Sequence, residues 1–357
     1  MCGNSGNSEN VLLVLLHWAP SEEYISSLSR ISPGIRVIVH QTAMYDTEVP
    51  KEITDETWAS VTILLTWKLV PAKEQAPNLR YVQLISAGCN QLFGQPIFEQ
   101  TDIAFCTANG VHPPQIAEWV FATFLGFQHH LPEHYDNQKL GNWVDPESDE
   151  DTEDAVGLRI GILGYGCIGR QVARVGKALG MSIHAFTLHE RPTPDSRKDD
   201  SFTEPGLGDP DGVFPSKWYH GIEQLNEFLG SDLDLLVITL PLTSSTSGML
   251  SSEQFNILSK RKAFISNAGR GGIIDTNSLI EALKQGKIRG AALDVTDPEP
   301  LPEDHPLWKA PNVLITPHCS GNSNHYNERV LKILAYNLDR LTRGISVVNR
   351  VDRALGY

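Results

Sequence analysis

Three features are scarce in this 357-residue sequence: cysteines, basic side chains and long apolar runs. The five cysteines are scattered and form no CxxC pair, so neither a disulfide framework nor a zinc site is expected. They are Cys2, Cys89, Cys106, Cys167 and Cys319. This usage favours a reducing compartment, and we predict a cytoplasmic protein that needs no metal.

Acidic side chains outnumber basic ones. The 43 Asp and Glu against 29 Lys and Arg give a formal net charge of -14 at pH 7. Recognition of nucleic-acid phosphates depends on clustered Lys and Arg, so a nucleic-acid partner is disfavoured, as is an anionic membrane surface. An anionic small molecule is not excluded, because one local Arg is enough to bind a carboxylate.

No apolar run in the sequence is long enough to span a membrane. The run Val11–Leu16 is short, has no Lys or Arg before it, and is followed by His17-Trp18 without a small-residue cleavage motif. We therefore interpret it as a buried first strand rather than as the core of a signal peptide.

Short apolar runs alternate with helical patterns along the chain, which predicts parallel sheets covered by helices. The length exceeds that of a usual single domain, so two domains are expected. In the first third, strands are predicted at Val11–Leu16, Ile35–Val39, Val61–Leu65, Tyr81–Leu84 and Ile103–Cys106, before a long apolar helix at Pro114–His130. The stretch Asp145–Asp154, rich in carboxylates, is typical of a solvated connector.

The alternation restarts after this connector with apolar runs of the kind found in strands that are buried on both faces. These strands are predicted at Leu158–Leu163, Ile183–Phe186, Leu235–Thr239, Ala263–Ser266, Gly290–Asp294 and Val313–Ile315, and a helix is predicted at Ser323–Arg343. Between Arg191 and Trp218 the periodicity is lost, and this segment is either a surface excursion or a functional loop.

The strongest motif is a glycine pattern that directly follows a predicted strand. Gly164, Gly166 and Gly169 form GxGxxG, and residues of helical composition follow them. The first glycine makes a tight turn, the second lets the backbone approach a pyrophosphate, and the third allows close packing of helix on strand. Backbone N–H groups at the helix N-terminus then face the anion. The motif therefore predicts a dinucleotide site, the alternative being a glycine-rich turn without a ligand.

The end of the next strand predicts the choice of coenzyme. Thr187 stands where an Asp or Glu would bind the ribose 2′-hydroxyl of NAD and repel the 2′-phosphate of NADP. Arg191 follows four residues later, with Arg197 and Lys198 beyond it. We predict a preference for NADP(H). NAD(H) is the alternative, because a small shift of register would let Glu190 reach the ribose.

Polar residues follow three of the later strands at the edge where ligands of open parallel sheets bind. Arg270 can hold a carboxylate through paired N–H donors and polarise the adjacent carbonyl. His318 can exchange a proton with the carbonyl oxygen, and Glu299 can orient the imidazole and stabilise its charged form. Alone, each would be explained as a surface ion pair, a structural histidine or a turn. Together beside a dinucleotide turn, they predict reduction of a 2-keto acid.

These residues resemble the D-isomer-specific 2-hydroxyacid dehydrogenase family, which includes glyoxylate/hydroxypyruvate reductases and phosphoglycerate dehydrogenases. The likeness is densest over 158–321 and rests on the glycine motif, on Leu240-Pro241-Leu242-Thr243, on 267–275, on 290–302 and on 316–321. The resemblance implies an α/β fold of two Rossmann-like doubly wound parallel-sheet domains, with the cofactor domain inserted in the substrate domain. We place the substrate domain at 1–130 and 323–357 and the dinucleotide-binding domain at 131–322, and expect a homodimer.

The resemblance also implies roles for individual residues. Arg270, Glu299 and His318 match the catalytic triad, and Asp294 matches the carboxylate that binds the nicotinamide amide. Thr187 departs from the family, which usually has an Asp at the ribose. The other residues that we assign to the cofactor site are Gly164, Gly166, Cys167, Ile168, Gly169, Thr187, Arg191, Leu240, Pro241, Ala268, Gly269 and Ser320. Ser86-Ala87-Gly88 resembles the loop whose amides bind the substrate carboxylate.

The expected function is therefore NAD(P)H-dependent reduction of a small 2-keto acid to the D-2-hydroxy acid, and the reverse. Corepressors that sense nucleotides share this fold and provide an alternative from another class. A formate dehydrogenase is disfavoured, because Glu299 stands where that subgroup has Gln. The identity of the keto acid and the role of the Arg191–Trp218 segment stay open.

Overall fold

A computed structural model describes residues 10–353, which divide into two units. Unit 1 contains the described residues up to Val111 and those from Asn324 onward, and unit 2 is His112–Ser323. Unit 2 is thus inserted into unit 1. The predicted domain boundary at residue 130 differs from this division, because the apolar helix before it belongs to unit 2.

Unit 1 is built on five parallel strands. They are β1 (Val11–Leu16), β2 (Arg36–Gln41), β3 (Ile63–Thr66), β4 (Tyr81–Leu84) and β5 (Ala104–Cys106). Their order in the sheet is β2-β1-β3-β4-β5, so the chain reverses its direction of travel between β1 and β3. The helices are α1 (Glu22–Ile31), α2 (Asp55–Ser60), α3 (Pro96–Glu99) and α11 (Tyr326–Thr342).

Unit 2 carries a sheet of seven parallel strands. They are β6 (Arg159–Leu163), β7 (Ser182–Thr187), β8 (Pro215–His220), β9 (Leu235–Ile238), β10 (Phe264–Asn267), β11 (Gly290–Leu293) and β12 (Val313–Ile315). The helices are α4 (Pro113–Gln128), α5 (Leu131–Leu140), α6 (Cys167–Ala178), α7 (Pro194–Arg197), α8 (Leu225–Leu229), α9 (Ser252–Leu258) and α10 (Thr276–Lys284).

The strand order β12-β11-β10-β9-β6-β7-β8 places a topological switch between β6 and β9. In such sheets, ligands bind in the crevice outside the carboxyl ends of the strands at the switch. The Gly164–Gly169 turn follows β6, and Leu240-Pro241 follows β9. Both segments therefore lie at the edge where the fold itself predicts a ligand.

Helices cover both faces of this sheet, which explains why its strands are apolar throughout. Leu235 and Val237 of β9 pack on one face with the apolar side of α4 and with α6. Leu236 and Ile238 point to the opposite face and pack with α8, α9 and α10. Because α4 is buried against this sheet, its packing places it in unit 2.

The fold class predicted from the sequence is confirmed. Each unit contains a doubly wound parallel sheet, and the chain segment of unit 2 is inserted within that of unit 1. The predicted strands reappear with their ends shifted by up to two residues. Strand β8 and helix α5 were not predicted. The residues of β8 are mostly polar or aromatic, and α5 buries none of its side chains, so neither has the periodicity of a buried element. Within residues 10–353 no helix is long and apolar enough to cross a bilayer.

Candidate active site

The Gly164–Gly169 turn connects β6 to α6 and has the shape that a pyrophosphate requires. Gly164 has a φ of 109°, which side-chain-bearing residues rarely adopt. A Cβ on Gly169 would lie 2.3 Å from the carbonyl oxygen of Gly164, so helix and turn are in direct contact. By contrast, no atom lies within 4 Å of a Cβ placed on Gly166, whose side is open.

The same turn presents the N-terminus of α6 to this open side. Gly166 is the N-cap residue, and no side chain caps the helix. The first turn of a helix directs its N–H groups out of the N-terminus, and Cys167 and Ile168 lie in this turn. An anion is stabilised there by the N–H groups and the helix dipole. The residues present therefore fit a dinucleotide pyrophosphate.

The loop after β7 has no carboxylate at the predicted ribose position. Thr187 ends the strand, and its hydroxyl donates to the carbonyl oxygen of His189 at 2.8 Å. Glu190 lies with its Oε1 4.0 Å from Nε2 of His220. The partly buried Arg191 donates through Nη1 to the carbonyl oxygen of Ser196 at 2.6 Å. The predicted Thr187 and Arg191 thus occur on one short loop.

The turn after β10 carries Arg270 and is held by Asn267, a residue that the sequence analysis did not single out. The buried Asn267 side chain accepts from Gly269 N and donates to the Arg270 carbonyl oxygen, both at 3.1 Å. Ala268 N donates to the carbonyl oxygen of Ile238 on β9 at 3.2 Å. The Arg270 side chain is exposed, and Nη1 donates to Gly269 O at 2.8 Å. The guanidinium is therefore accessible to a ligand.

Asp294, just after β11, is only 2% exposed and organises the loop that contains His318. Its carboxylate accepts hydrogen bonds from the backbone N–H groups of Cys319 and Ser320 and from the hydroxyls of Thr316 and Ser320. The backbone N–H of His318 donates to the Asp294 carbonyl oxygen at 2.8 Å. A buried carboxylate is tolerated because so many donors satisfy it. The sequence analysis included Thr316 in a stretch that resembles the family but gave it no role.

His318 and Glu299 form a close pair. Nδ1 of His318 lies 2.6 Å from Oε1 of Glu299, and the two side chains are 50% and 40% exposed. His318 has a φ of 51°, an uncommon conformation for a residue with a side chain, and the Asp294 contacts hold its loop in place. Since the carboxylate accepts the Nδ1 proton, Nε2 is the ring nitrogen that can exchange a proton with a substrate.

Unit 2 therefore places the predicted turn, Arg270, Asp294, Glu299 and His318 at the carboxyl ends of its strands. The predicted substrate loop lies in unit 1, directly after β4. There the Ser86 hydroxyl donates to the Gly88 carbonyl oxygen at 2.7 Å, and Gln91 donates to the Ser86 hydroxyl at 2.9 Å. Ala87 at the tip of this loop is exposed. In the described part of the chain, no three His, Cys, Asp or Glu side chains group as metal ligands would.

Comparison with known proteins agrees with this geometry. The model of the NAD-binding domain of D-isomer specific 2-hydroxyacid dehydrogenases matches residues 121–205 and 217–320. A glyoxylate reductase from Aeropyrum pernix is 31% identical over 292 residues, 78% of this chain and 78% of that protein. Glyoxylate/hydroxypyruvate reductase B from Yersinia enterocolitica is 32% identical over 253 residues, 71% of each chain.

Solved structures give the same result. A D-isomer specific 2-hydroxyacid dehydrogenase from Xanthobacter autotrophicus, in complex with NADPH and MES, superposes with a TM-score of 0.71 at 26% identity, covering 98% of this chain and 100% of that one. An NADPH-dependent glyoxylate/hydroxypyruvate reductase from Sinorhizobium meliloti, in complex with NADP and sulfate, gives 0.69 at 25% identity, with coverages of 98% and 100%. The chain belongs to the D-isomer specific 2-hydroxyacid dehydrogenase family, as the resemblance predicted.

Proposed function

We propose that this protein reduces small 2-keto acids to D-2-hydroxy acids with NAD(P)H, and catalyses the reverse reaction. The observation that carries the proposal is the contact between His318 Nδ1 and Glu299 Oε1 at 2.6 Å, at the sheet edge that also bears Arg270 and the Gly164–Gly169 turn. This edge thus combines an acid–base group, a carboxylate-binding group and a dinucleotide turn. A nucleotide sensor would need only the last of these.

Each side chain has a separate task in this reaction. Arg270 binds the substrate carboxylate and polarises the neighbouring carbonyl through its N–H donors. His318 Nε2 gives a proton to the carbonyl oxygen during reduction and takes it back during oxidation. Glu299 keeps the imidazole oriented and stabilises its positive charge while the proton is held there. When bound, the nicotinamide coenzyme supplies the hydride that the carbonyl carbon receives.

We assign coenzyme binding to unit 2, and binding of the substrate carboxylate to Arg270 of unit 2 together with a loop of unit 1. In unit 2 the residues are Gly164, Gly166, Cys167, Ile168, Gly169, Thr187, Arg191, Leu240, Pro241, Ala268, Gly269, Arg270, Asp294, His318 and Ser320. In unit 1 they are Ser86, Ala87 and Gly88. Asp294 receives the nicotinamide amide in this assignment, in addition to holding the His318 loop.

NADP(H) is the preferred coenzyme in this proposal. The support is that Thr187, not a carboxylate, ends β7, and that Glu190 lies near His220. We assign the guanidinium of Arg191, four residues after Thr187, to the 2′-phosphate in addition to its bond to Ser196 O. Titration of the protein with NADPH and NADH checks this preference, and tighter binding of NADH would contradict it.

We also infer a homodimer joined through unit 2. The support is a set of exposed apolar side chains on α5 and just after it. These are Leu131, Tyr135, Leu140 and Trp143, the last being 91% exposed. Exposed apolar patches of this kind mark contact surfaces between proteins. Light scattering at several concentrations tests the mass, and a monomer at all of them would refute the inference.

The experiment that tests the function is oxidation of NADPH and NADH against a panel of 2-keto acids, from glyoxylate and hydroxypyruvate to branched and aromatic members. Turnover with any member establishes the reaction, and the pattern defines the size of the pocket. Tight nucleotide binding with no turnover across the panel would refute the reductase and favour a sensor of the corepressor type. The variant His318→Gln is the matched control, since it should bind coenzyme but turn over about 10² to 10⁴ times more slowly.

A further inference from the structure

The segment Arg191–Trp218, here called the excursion, is anchored to the rest of unit 2 by a buried carboxylate. Asp209 is 1% exposed. Its carboxylate accepts from the backbone N–H groups of Val213 and Phe214 at 3.0 and 3.1 Å, and from the hydroxyl of Tyr165 at 2.7 Å. A carboxylate removed from water is tolerated only with such partners, so the position of Asp209 depends on these three hydrogen bonds.

The first turns of α6 bind the same excursion through three side chains. Arg170, 5% exposed, donates to the carbonyl oxygens of Asp209 and Arg197 at 2.5 and 2.8 Å. Gln171 accepts from Gly208 N at 2.7 Å, and Arg174 donates to Gly208 O at 2.8 Å. The excursion is therefore fixed to the helix whose N-terminus faces the proposed pyrophosphate.

Tyr165 connects this anchor to the turn itself. It stands between Gly164 and Gly166, so it provides the side chain of the tight turn, and it is 4% exposed. Its ring contacts that of Trp218 edge-on with centroids 5.0 Å apart, and the Arg170 guanidinium lies 5.1 Å from the ring centroid. Burial, followed by the hydrogen bond to Asp209, raises the pKa of Tyr165, so its hydroxyl stays a donor.

A glycine-rich turn loses more conformational entropy on ordering than other segments do. If the turn is ordered before the coenzyme arrives, that entropy is not lost on binding, and the coenzyme binds more tightly. In this chain, the side chain that can order the turn is Tyr165, which contacts Asp209 and Trp218 of the excursion.

We propose that Asp209 is a positioning residue for the coenzyme, acting through the Tyr165 hydroxyl, and that the excursion serves to hold the pyrophosphate-binding turn in shape. This inference rests on the proposed function, because it needs a dinucleotide at the turn. It gives the excursion, whose role the sequence left open, a function at the coenzyme site. The competing explanation is a surface excursion without influence on the coenzyme.

The test is the dissociation constant of NADPH for the full-length protein, measured by calorimetry, for the wild type and for Tyr165→Phe and Asp209→Asn. Tyr165→Phe removes one hydroxyl and keeps the ring. We expect roughly five- to tenfold weaker binding for each variant and no further loss in the double variant, because both changes act on the contact between Tyr165 and Asp209. At saturating NADPH, kcat and the KM of the keto acid should stay within about twofold of the wild type.

The matched control is Tyr24→Phe in unit 1, whose partly buried hydroxyl donates to Leu331 O at 2.8 Å. It removes one tyrosine hydroxyl hydrogen bond from the other unit of the chain and should leave NADPH binding unchanged. In the absence of coenzyme, backbone amides at 164–169 should exchange with deuterium faster in Tyr165→Phe than in the control. This second readout does not depend on activity, and it decides the matter if Asp209→Asn does not fold.

The outcomes are distinguishable. Wild-type affinity for NADPH and wild-type amide exchange in Tyr165→Phe would overturn the role of Asp209 while leaving the proposed reductase intact. A wild-type protein that binds neither NADPH nor NADH would overturn both proposals. An equal loss in Tyr24→Phe would show a general effect of stability and overturn the positioning role.

Discussion

Replacing Glu299 with Gln asks whether this carboxylate acts through His318 or on the substrate directly. Gln keeps the size of the side chain and an oxygen that can accept from Nδ1, but it loses the negative charge. The 2.6 Å contact predicts that the charge stabilises the imidazolium on the way to the transition state. Only the electrostatic part of the interaction is then removed.

The size of the effect follows from the exposure of the pair. A hydrogen bond to a charged group is worth about 1.5 to 3 kcal/mol. With the two side chains 50% and 40% exposed, screening by water places this pair at the lower end, near 1.5 kcal/mol. We therefore expect Glu299→Gln to lower kcat/KM roughly tenfold, while the affinity for NADPH is unchanged.

The assay is a double-mutant cycle on kcat/KM with His318→Gln. Loss of the acid–base group alone should cost about 10² to 10⁴ in rate. If Glu299 acts only through His318, then Glu299→Gln should cost less than about twofold in the His318→Gln background. A full tenfold cost in both backgrounds would refute the pairing and indicate a direct contact of Glu299 with substrate. Glu303→Gln, an exposed carboxylate in the same segment, is the matched control.

Three further predictions concern binding and stability. Arg270→Ala should lower turnover of keto acids by at least about 10² while NADPH binding stays nearly intact, as measured by kinetics and calorimetry; equal loss of both would contradict its role at the carboxylate. Gly169→Ala places a Cβ 2.3 Å from Gly164 O and should weaken NADPH binding about tenfold or more, whereas wild-type affinity would mean that the turn adapts. Burial, then Arg159 and Lys217, lowers the pKa of His184 from 6.5 to about 4. Between pH 6.5 and 4, His184 therefore binds a proton in the unfolded chain but stays neutral in the folded protein. The free energy of unfolding should fall by roughly 2 to 3 kcal/mol over this range. His184→Gln should flatten this decline in urea titrations, and an unaltered slope would assign it to other groups.

The parallel sheets could be predicted because buried strands are apolar on both faces and alternate with helices. The runs at Val11–Leu16, Tyr81–Leu84 and Val313–Ile315 match the observed strands at both ends. Strand β8 could not be predicted, because Lys217 and other polar residues place it at an edge of the sheet, where periodicity is weak. The boundary before α4 depends on which sheet that helix covers, and its own sequence does not contain that information.

Candidate site residues could be predicted from the sequence where a side chain of suitable chemistry directly follows a predicted strand. Arg270, Glu299 and His318 each follow a strand, and parallel strands end at one edge. The hydrogen bonds that support them were not accessible. Asn267 and Thr316 are common polar residues, and only the structure shows that they hold the Arg270 and His318 loops.

The insertion of unit 2 into unit 1 has a consequence for the order of folding. Within unit 2, Gln115 donates to Gly321 O at 2.9 Å, so the two ends of the inserted segment meet. Within unit 1, Arg329 donates to Val111 O at 3.4 Å, which joins the two segments of unit 1 close to the points where the chain enters and leaves unit 2. Closing a flexible loop of roughly 200 residues costs about 3 kcal/mol more than closing one of about five.

Once unit 2 has folded, its joined ends act as a short bridge, and α11 can pack on α1 without that loss of entropy. We therefore predict that amides of α6 become protected before those of α11 in pulsed hydrogen exchange during refolding, and protection in the opposite order would contradict this. A substitution that delays folding of the inserted half would then delay completion of the outer half as well, although none of its residues is changed.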